Sequence, residues 1–170
     1  THISNCGQSA CLKSAANYTS DKTIITIDGD GQNNPKDIPK LLDEYISNKD
    51  VYLVGGIRKK RKDNIIKIST SKIANQFRKI ILKDDCVDSG CSLKVFDKEV
   101  FLSFPFFNGI HRFLPSLFIG FGHKVKYMFV SHRPRLGGFS NYGTLDRLFI
   151  GIRDTIKVRN IVINKKKSNV

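Results

Sequence analysis

The segment TIITIDGDGQNNPKDIPKLLDEYISNKDVYLV, from Thr23 to Val54, constrains this chain more than any other part of it. Thr23–Ile27 is a short β-branched apolar run closed by turn residues, the pattern of a buried strand. Pro35 and Pro39 bracket the start of a helix running to about Ile46; proline is tolerated in a first turn, and Asp37 there favours the helix dipole. Val51–Val54 is a second buried strand ending at Gly55-Gly56. Strand, helix and strand in this order predict a right-handed crossover, a parallel pair and an α/β fold.

The first strand ends abruptly on Asp28, Asp30 and Gln32. Alternate residues of an extended segment point the same way, so these three could present oxygen ligands on one side. Such a set suits a hard divalent cation, Mg²⁺ or Mn²⁺, with a ligand's phosphates completing its shell. It also falls beyond a strand's carboxyl end, where open α/β sheets place their ligands. On spacing alone a solvated turn or a helix cap is the commoner meaning of such a pair.

Ser9–Tyr18 reads as a helix, and Leu93–Phe96 and Val125–Val130 as further strands. A helix-like stretch from Ser69 to Leu82 carries an apolar stripe of Ile73, Phe77, Ile80 and Ile81. Between Val100 and Phe121 seven phenylalanines crowd together. From Leu145, apolar residues recur at helical spacing with Arg147, Arg153, Lys157 and Arg159 among them. That helix either packs on its own sheet or lies in a membrane interface with its basic flanks on anionic headgroups. The domain reading is therefore 1–143 for the main α/β portion and 144–170 for an amphipathic, basic interfacial helix and tail.

A chain of 170 residues, 40% hydrophobic, suffices for one core. Its net charge of +14 points to a polyanion, a phosphorylated ligand or an anionic membrane surface. No apolar run approaches the roughly 20 residues of a membrane-spanning helix. Cys6/Cys11 and Cys86/Cys91 fit zinc spacing poorly, so buried free thiols are expected. A basic nucleic-acid-binding module is the competing reading from charge alone. Against it, the aromatics fall in apolar runs rather than as stacking platforms, and the basic residues surround an acidic motif.

Several segments together resemble one family. DGDGQNNPKDIPKLLD is similar to the D-x-D-x-Q segment of family 2 glycosyltransferases of the dolichyl-phosphate mannose synthase type. GGIRKKRKDNIIKISTSKIAN, DSGCSLKVFDKEV and HRFLPSLFIGFGHKVKYMFVSHRPRLGGFSNYG resemble three later segments of that family, in the same order. The resemblance implies a GT-A nucleotide-diphospho-sugar transferase fold, a Rossmann-like mixed sheet flanked by helices. It is incomplete at the N-terminus, because the family's opening strand and β/α units have no counterpart before Thr1.

The implied activity is inverting, metal-dependent transfer of a hexose, mannose or glucose, to a polyprenyl (dolichyl or undecaprenyl) phosphate. The donor would be GDP-mannose or a UDP-sugar, the cofactor Mg²⁺ or Mn²⁺, and the place the cytoplasmic face of a membrane, held peripherally. Nucleic acid is not an expected partner; a non-catalytic basic membrane-surface domain is the alternative. The resemblance implies that Asp28, Asp30 and Gln32 hold the metal. Asp28 and Asp30, with Arg133, Arg135 and Ser140, would bind the donor diphosphate. Arg58, Lys67 and Ser71 would bind the acceptor phosphate, and Asp88 would act as a catalytic base or an orienting carboxylate. Gly31, Asn33-Asn34 and Asn141 depart from the family's usual residues, and Lys67 stands where arginine is usual.

Overall fold

The computed structural model describes residues 3–58, 76–133 and 144–168. Helix α1 (Gly7–Tyr18) leads into β1 (Thr23–Thr26); a 3-10 turn at Pro35–Asp37 opens α2 (Ile38–Ser47), followed by β2 (Val51–Arg58). Helical residues 76–82 (α3) precede β3 (Lys94–Asp97) and α4 (Lys98–Ser103), and α5 (Leu114–Gly120), β4 (Lys124–Val130) and α6 (Thr144–Lys167) complete the order. The Asn34 side chain accepts the Lys36 N–H at the start of the 3-10 turn, and Asp97 caps α4 by accepting from Val100 N at 2.8 Å.

The four strands lie in the order β1-β3-β2-β4. This corrects the expected pairing of the first two strands. They run the same way, but β3 enters between them, antiparallel to both, with Ile24 opposite Phe96 and Leu53 opposite the same residue from the other side. The parallel neighbour of β2 is β4, from Val51↔Lys124 to Arg58↔Val130. The second strand also runs on through Gly55 and Gly56 to Arg58. Gly56 has no room for a side chain: a Cβ there would meet Cys91 Sγ at 2.9 Å and Leu93 O at 3.1 Å.

Side chains alternate across the sheet, so β3 sends Val95 to one face and Phe96 to the other. One core gathers Leu53, Phe96, Phe101, Phe118 and Val158 under α1, α4, α5 and α6. The other packs Val54, Val95, Cys91 and Leu93 against Leu41 of α2. The phenylalanine-rich stretch supplies much of the first core by edge-to-face contact, Phe104 on Phe118 at 5.1 Å and on Phe121 at 4.8 Å. Helix α6 joins that core through Val158, Ile161 and Val162, while Phe149, Ile156 and Arg153 face outward.

Two burial expectations fail. Among the described residues β1 pairs only with β3, so it is an edge strand, and Ile25 and Ile27 are 37% and 39% exposed. All four cysteines are free thiols, but only Cys86 and Cys91 are buried; Cys6 and Cys11 lie on the exposed side of the N-terminal region. Their spacing carries no information about depth.

Candidate active site

Because β3 runs antiparallel to its neighbours, the loop that precedes it lies at the carboxyl ends of β1 and β2. That loop, residues 86–93, ties the two strand ends together. Ser92 Oγ accepts the Asp28 N–H at 3.2 Å and the Asn33 side-chain amide at 2.7 Å, while Ser92 O accepts the Thr26 hydroxyl at 2.6 Å. The aspartate turn after β1 is thereby pinned at both ends. Within it, Asp30 Oδ1 accepts the Gln32 N–H at 3.1 Å, an Asx-type turn that curls the segment rather than leaving it extended. Asp28 Oδ1 accepts from Gln8 Nε2 of α1 at 3.1 Å. Asp28, Asp30 and Gln32 are all half-buried.

At the end of β2 the same loop delivers Asp88. Its Oδ2 accepts Arg58 Nε at 2.8 Å and the Arg58 backbone N–H at 3.2 Å, and its Oδ1 accepts Arg58 Nη2 at 2.7 Å. The two side chains are 14% and 10% exposed, so this is a bidentate, nearly buried ion pair. Two residues predicted for separate roles are thus one unit. Arg133 is exposed, and its backbone N–H donates to Gln32 O at 2.9 Å, beside the Asn33–His132 bridge. That contact brings the chain after β4 against the aspartate turn. Lys67, Ser71, Arg135 and Ser140 lie outside the described residues.

A cavity of about 530 Å³ opens beside Asp28, between α1, the end of β1 and the Ser89-Gly90 turn. Lys94, His111 and Arg112 line it on one side. Lys94 is 3% exposed and donates to Cys91 O; burial pushes its ammonium pKa down, while Asp88 and Asp28 oppose that shift. His111 shares a 2.8 Å hydrogen bond between Nδ1 and Ser9 Oγ, and that hydroxyl also accepts the Gly109 N–H at 2.8 Å. Burial, then the charges of Arg112 and Lys94, push the His111 pKa down to about 4, so the ring is neutral near pH 7.

Gln8, Ser92, Lys94 and His111 were not singled out from the sequence as site residues. Ser92, Lys94 and His111 had a signal, since the first two fall inside the DSGCSLKVF segment and His111 opens the HRFLPSLF segment. The donor set after β1 is all oxygen, two carboxylates and an amide, which fits a hard cation. Among the described residues no three His, Cys, Asp or Glu side chains gather closely enough to hold a metal alone. A cation here requires ligand oxygens as well.

Residues 1–103 match the family model described as Glycosyl transferase family 2, and the chain belongs to that family. The dodecaprenyl-phosphate galacturonate synthase of Rhizobium johnstonii is 33% identical over 157 residues, 91% of this chain and 46% of the relative. An undecaprenyl-phosphate 4-deoxy-4-formamido-L-arabinose transferase of Aeromonas hydrophila is 28% identical over 141 residues, 83% of this chain and 43% of the relative. The chain therefore spans less than half the length of these curated relatives.

Among solved structures, glucosyl-3-phosphoglycerate synthase from Mycobacterium tuberculosis with Mg²⁺ and UDP superposes with a TM-score of 0.64 at 18% identity, over 92% of this chain and 54% of that one. The same enzyme with Mn²⁺, UDP-glucose and glycerol 3-phosphate gives 0.62 at 17% identity, over 93% and 55%. The fold is the GT-A glycosyltransferase fold. Among the described residues no helix is long and apolar enough to cross a membrane.

Proposed function

We propose that this chain is part of an enzyme that moves a sugar from a nucleoside-diphosphate donor to a polyprenyl phosphate. The observation that carries this reading is one of placement. The oxygen-rich turn after β1 and the Arg58–Asp88 pair at the end of β2 are joined through a single loop at the same edge of the sheet. One side suits a metal-bound diphosphate and the other a phosphate acceptor, the two charged partners such a transfer brings together.

Asp28, Asp30 and Gln32 would hold Mg²⁺ or Mn²⁺ together with the donor diphosphate. Bound there, the ion supplies Lewis-acid neutralisation of charge on the departing nucleoside diphosphate. Arg133, joined to Gln32 through its backbone, would add a cation on the same side, with Arg135 and Ser140 following it. Arg58, with Lys67 and Ser71, would bind the acceptor phosphate.

Asp88 fits an orienting role better than that of a base. Both its oxygens already accept charge-assisted hydrogen bonds from Arg58, and a phosphate acceptor is largely ionised near neutral pH. It fixes the guanidinium plane against which the acceptor is aligned.

The relatives' names carry galacturonate and a formamido-arabinose, so the sugar class is set wider than the mannose or glucose suggested by the resemblance. A UDP-sugar donor is preferred to GDP-mannose because the solved structures of similar fold carry UDP or UDP-glucose. The outward Arg153, Lys157 and Arg159 of α6 suit a membrane surface carrying the acceptor, at its cytoplasmic face. The deciding assay offers the complete protein a labelled UDP-sugar and polyprenyl phosphate, with and without chelator. Metal-dependent product lost in Asp30→Ala supports the reading; transfer indifferent to both refutes the metal role, and no transfer to any polyprenyl phosphate refutes the acceptor.

A further inference from the structure

His111 lines the cavity beside Asp28, yet it has no part in holding metal or phosphate there. The fold fixes it from three elements. It sits in the 3-10 turn Ile110–Arg112, preceded by Gly109 at φ 102°, a left-handed conformation that favours glycine. A Cβ at Gly109 would meet Asp154 Oδ2 at 2.6 Å and Arg112 Nη2 at 2.7 Å, so the turn closes against α6. From α1, Ser9 Oγ accepts the Gly109 N–H at 2.8 Å and lies 2.8 Å from His111 Nδ1.

These contacts decide where the ring proton lies. Ser9 is 3% exposed, and among the described residues its hydroxyl hydrogen has one acceptor in reach, His111 Nδ1. A proton on Nδ1 would leave that buried O–H unmet, which is costly. The ring is therefore the Nε2–H tautomer. It stays neutral near pH 7 because burial, then the charges of Arg112 and Lys94, oppose a second proton. Among the described residues Nε2 meets no partner, and unlike the sealed Nε of Arg112 it remains open to solvent. The cavity is where that opening leads. It reaches from Asp28, on the metal and diphosphate side, to the Ser89-Gly90 turn, where a Cβ on Gly90 would come within 3.1 Å of Arg58 Nη2. Its volume of about 530 Å³ is that of a small-molecule site, and Leu12, Ala15 and Ile25 give it apolar lining. A sugar ring has C–H faces and an edge of hydroxyls, and in a transfer it is the group held between donor diphosphate and acceptor.

We propose that His111 binds the transferred sugar, its Nε2–H donating to one of the sugar oxygens, and that Ser9 is the positioning residue that sets this tautomer. The assignment rests on the transferase reading and adds to it a residue that discriminates sugars by where they place an acceptor.

Calorimetric titrations of the complete protein with Mg²⁺ separate sugar from nucleotide by comparing UDP with UDP-glucose and UDP-galacturonate. His111→Phe keeps a ring but has no donor; it should hold UDP affinity within about twofold and weaken the better-bound UDP-sugar roughly five- to tenfold. His111→Gln, whose amide supplies an N–H, should recover most of that loss. UDP binding reports folding; where His111→Phe fails it, the Ser9→Ala/His111→Phe double variant, with no buried hydroxyl left unmet, takes its place. Nitrogen NMR of histidine-labelled protein should show the Nε2–H tautomer for His111 in the wild type and a mixture in Ser9→Ala. UDP and UDP-sugar weakened alike, UDP-sugar affinity unchanged, or an Nδ1–H signature in the wild type each overturns the assignment and leaves the transferase reading standing. A wild type that binds neither UDP nor either UDP-sugar overturns both.

Discussion

Removing Asp88 exposes how much the site depends on the pair it forms with Arg58. Asp88→Ala deletes the acceptor of two side-chain hydrogen bonds, at 2.8 and 2.7 Å, and of the Arg58 backbone N–H at 3.2 Å. The arginine side chain, 14% exposed, then loses this carboxylate with little water to replace it. Breaking a buried pair from one side costs about 3 kcal/mol. With a urea m-value of about 2 kcal/mol/M for a domain of this size, the unfolding midpoint falls by about 1.5 M. Arg58→Met combined with Asp88→Leu removes both charges and should recover most of that loss, because the desolvation cost disappears with the pair. Urea titrations of the wild type, both single variants and the double variant measure the coupling. Additive losses, or a shift for Asp88→Ala under about 0.3 M, would show that the pair is solvated and refute an anchored guanidinium.

His111 makes stability pH-dependent in a defined window. Its folded pKa of about 4 lies below the ordinary 6.5, so the unfolded chain binds the proton more readily, and stability falls as pH drops from 6.5 to 4, levelling off below. The loss approaches about 3 kcal/mol, and His111→Asn should flatten that part of the urea stability–pH curve. Gly56→Ala forces a methyl against Cys91 Sγ and the Leu93 carbonyl and should destabilise by about 1–3 kcal/mol, read by thermal melting. Phe118→Ala, which empties a fully buried site in the larger core, should cost about 3–5 kcal/mol in the same assay. Mn²⁺ with UDP should raise the melting temperature of the wild type and leave that of Asp30→Ala unchanged, since the pair acts as a ligand that binds only the folded state.

The local elements were legible because each rests on local chemistry. The β-branched run, the prolines at α2 and the phenylalanine-rich stretch all mark structure within a few residues of themselves. Strand order was not, because β3 inserts between β1 and β2 through pairings that join Ile25 to Val95 and Val54 to the same residue. No periodicity inside four residues announces such a partner. The aspartates after β1 were visible as a pattern, whereas the Arg58–Asp88 pair joins positions 30 residues apart and needs the fold to bring them together. The exposure of Ile25 and Ile27 was missed for a related reason: composition says that a run is apolar, not whether a neighbour covers it.

The interleaved strand order also has a consequence for synthesis. When β2 leaves the ribosome neither of the neighbours it pairs with among the described strands has been made, because β1 lies on the far side of β3. Both strands must wait for the pairing that joins them until residues Lys94–Asp97 emerge; β4 follows later still. The sheet therefore closes from its middle outward and late, through contacts of long sequence separation that form slowly. A ribosome pause after Asp97 would help this chain, whereas one just after Arg58 would hold β1 and β2 exposed before the strand that joins them exists.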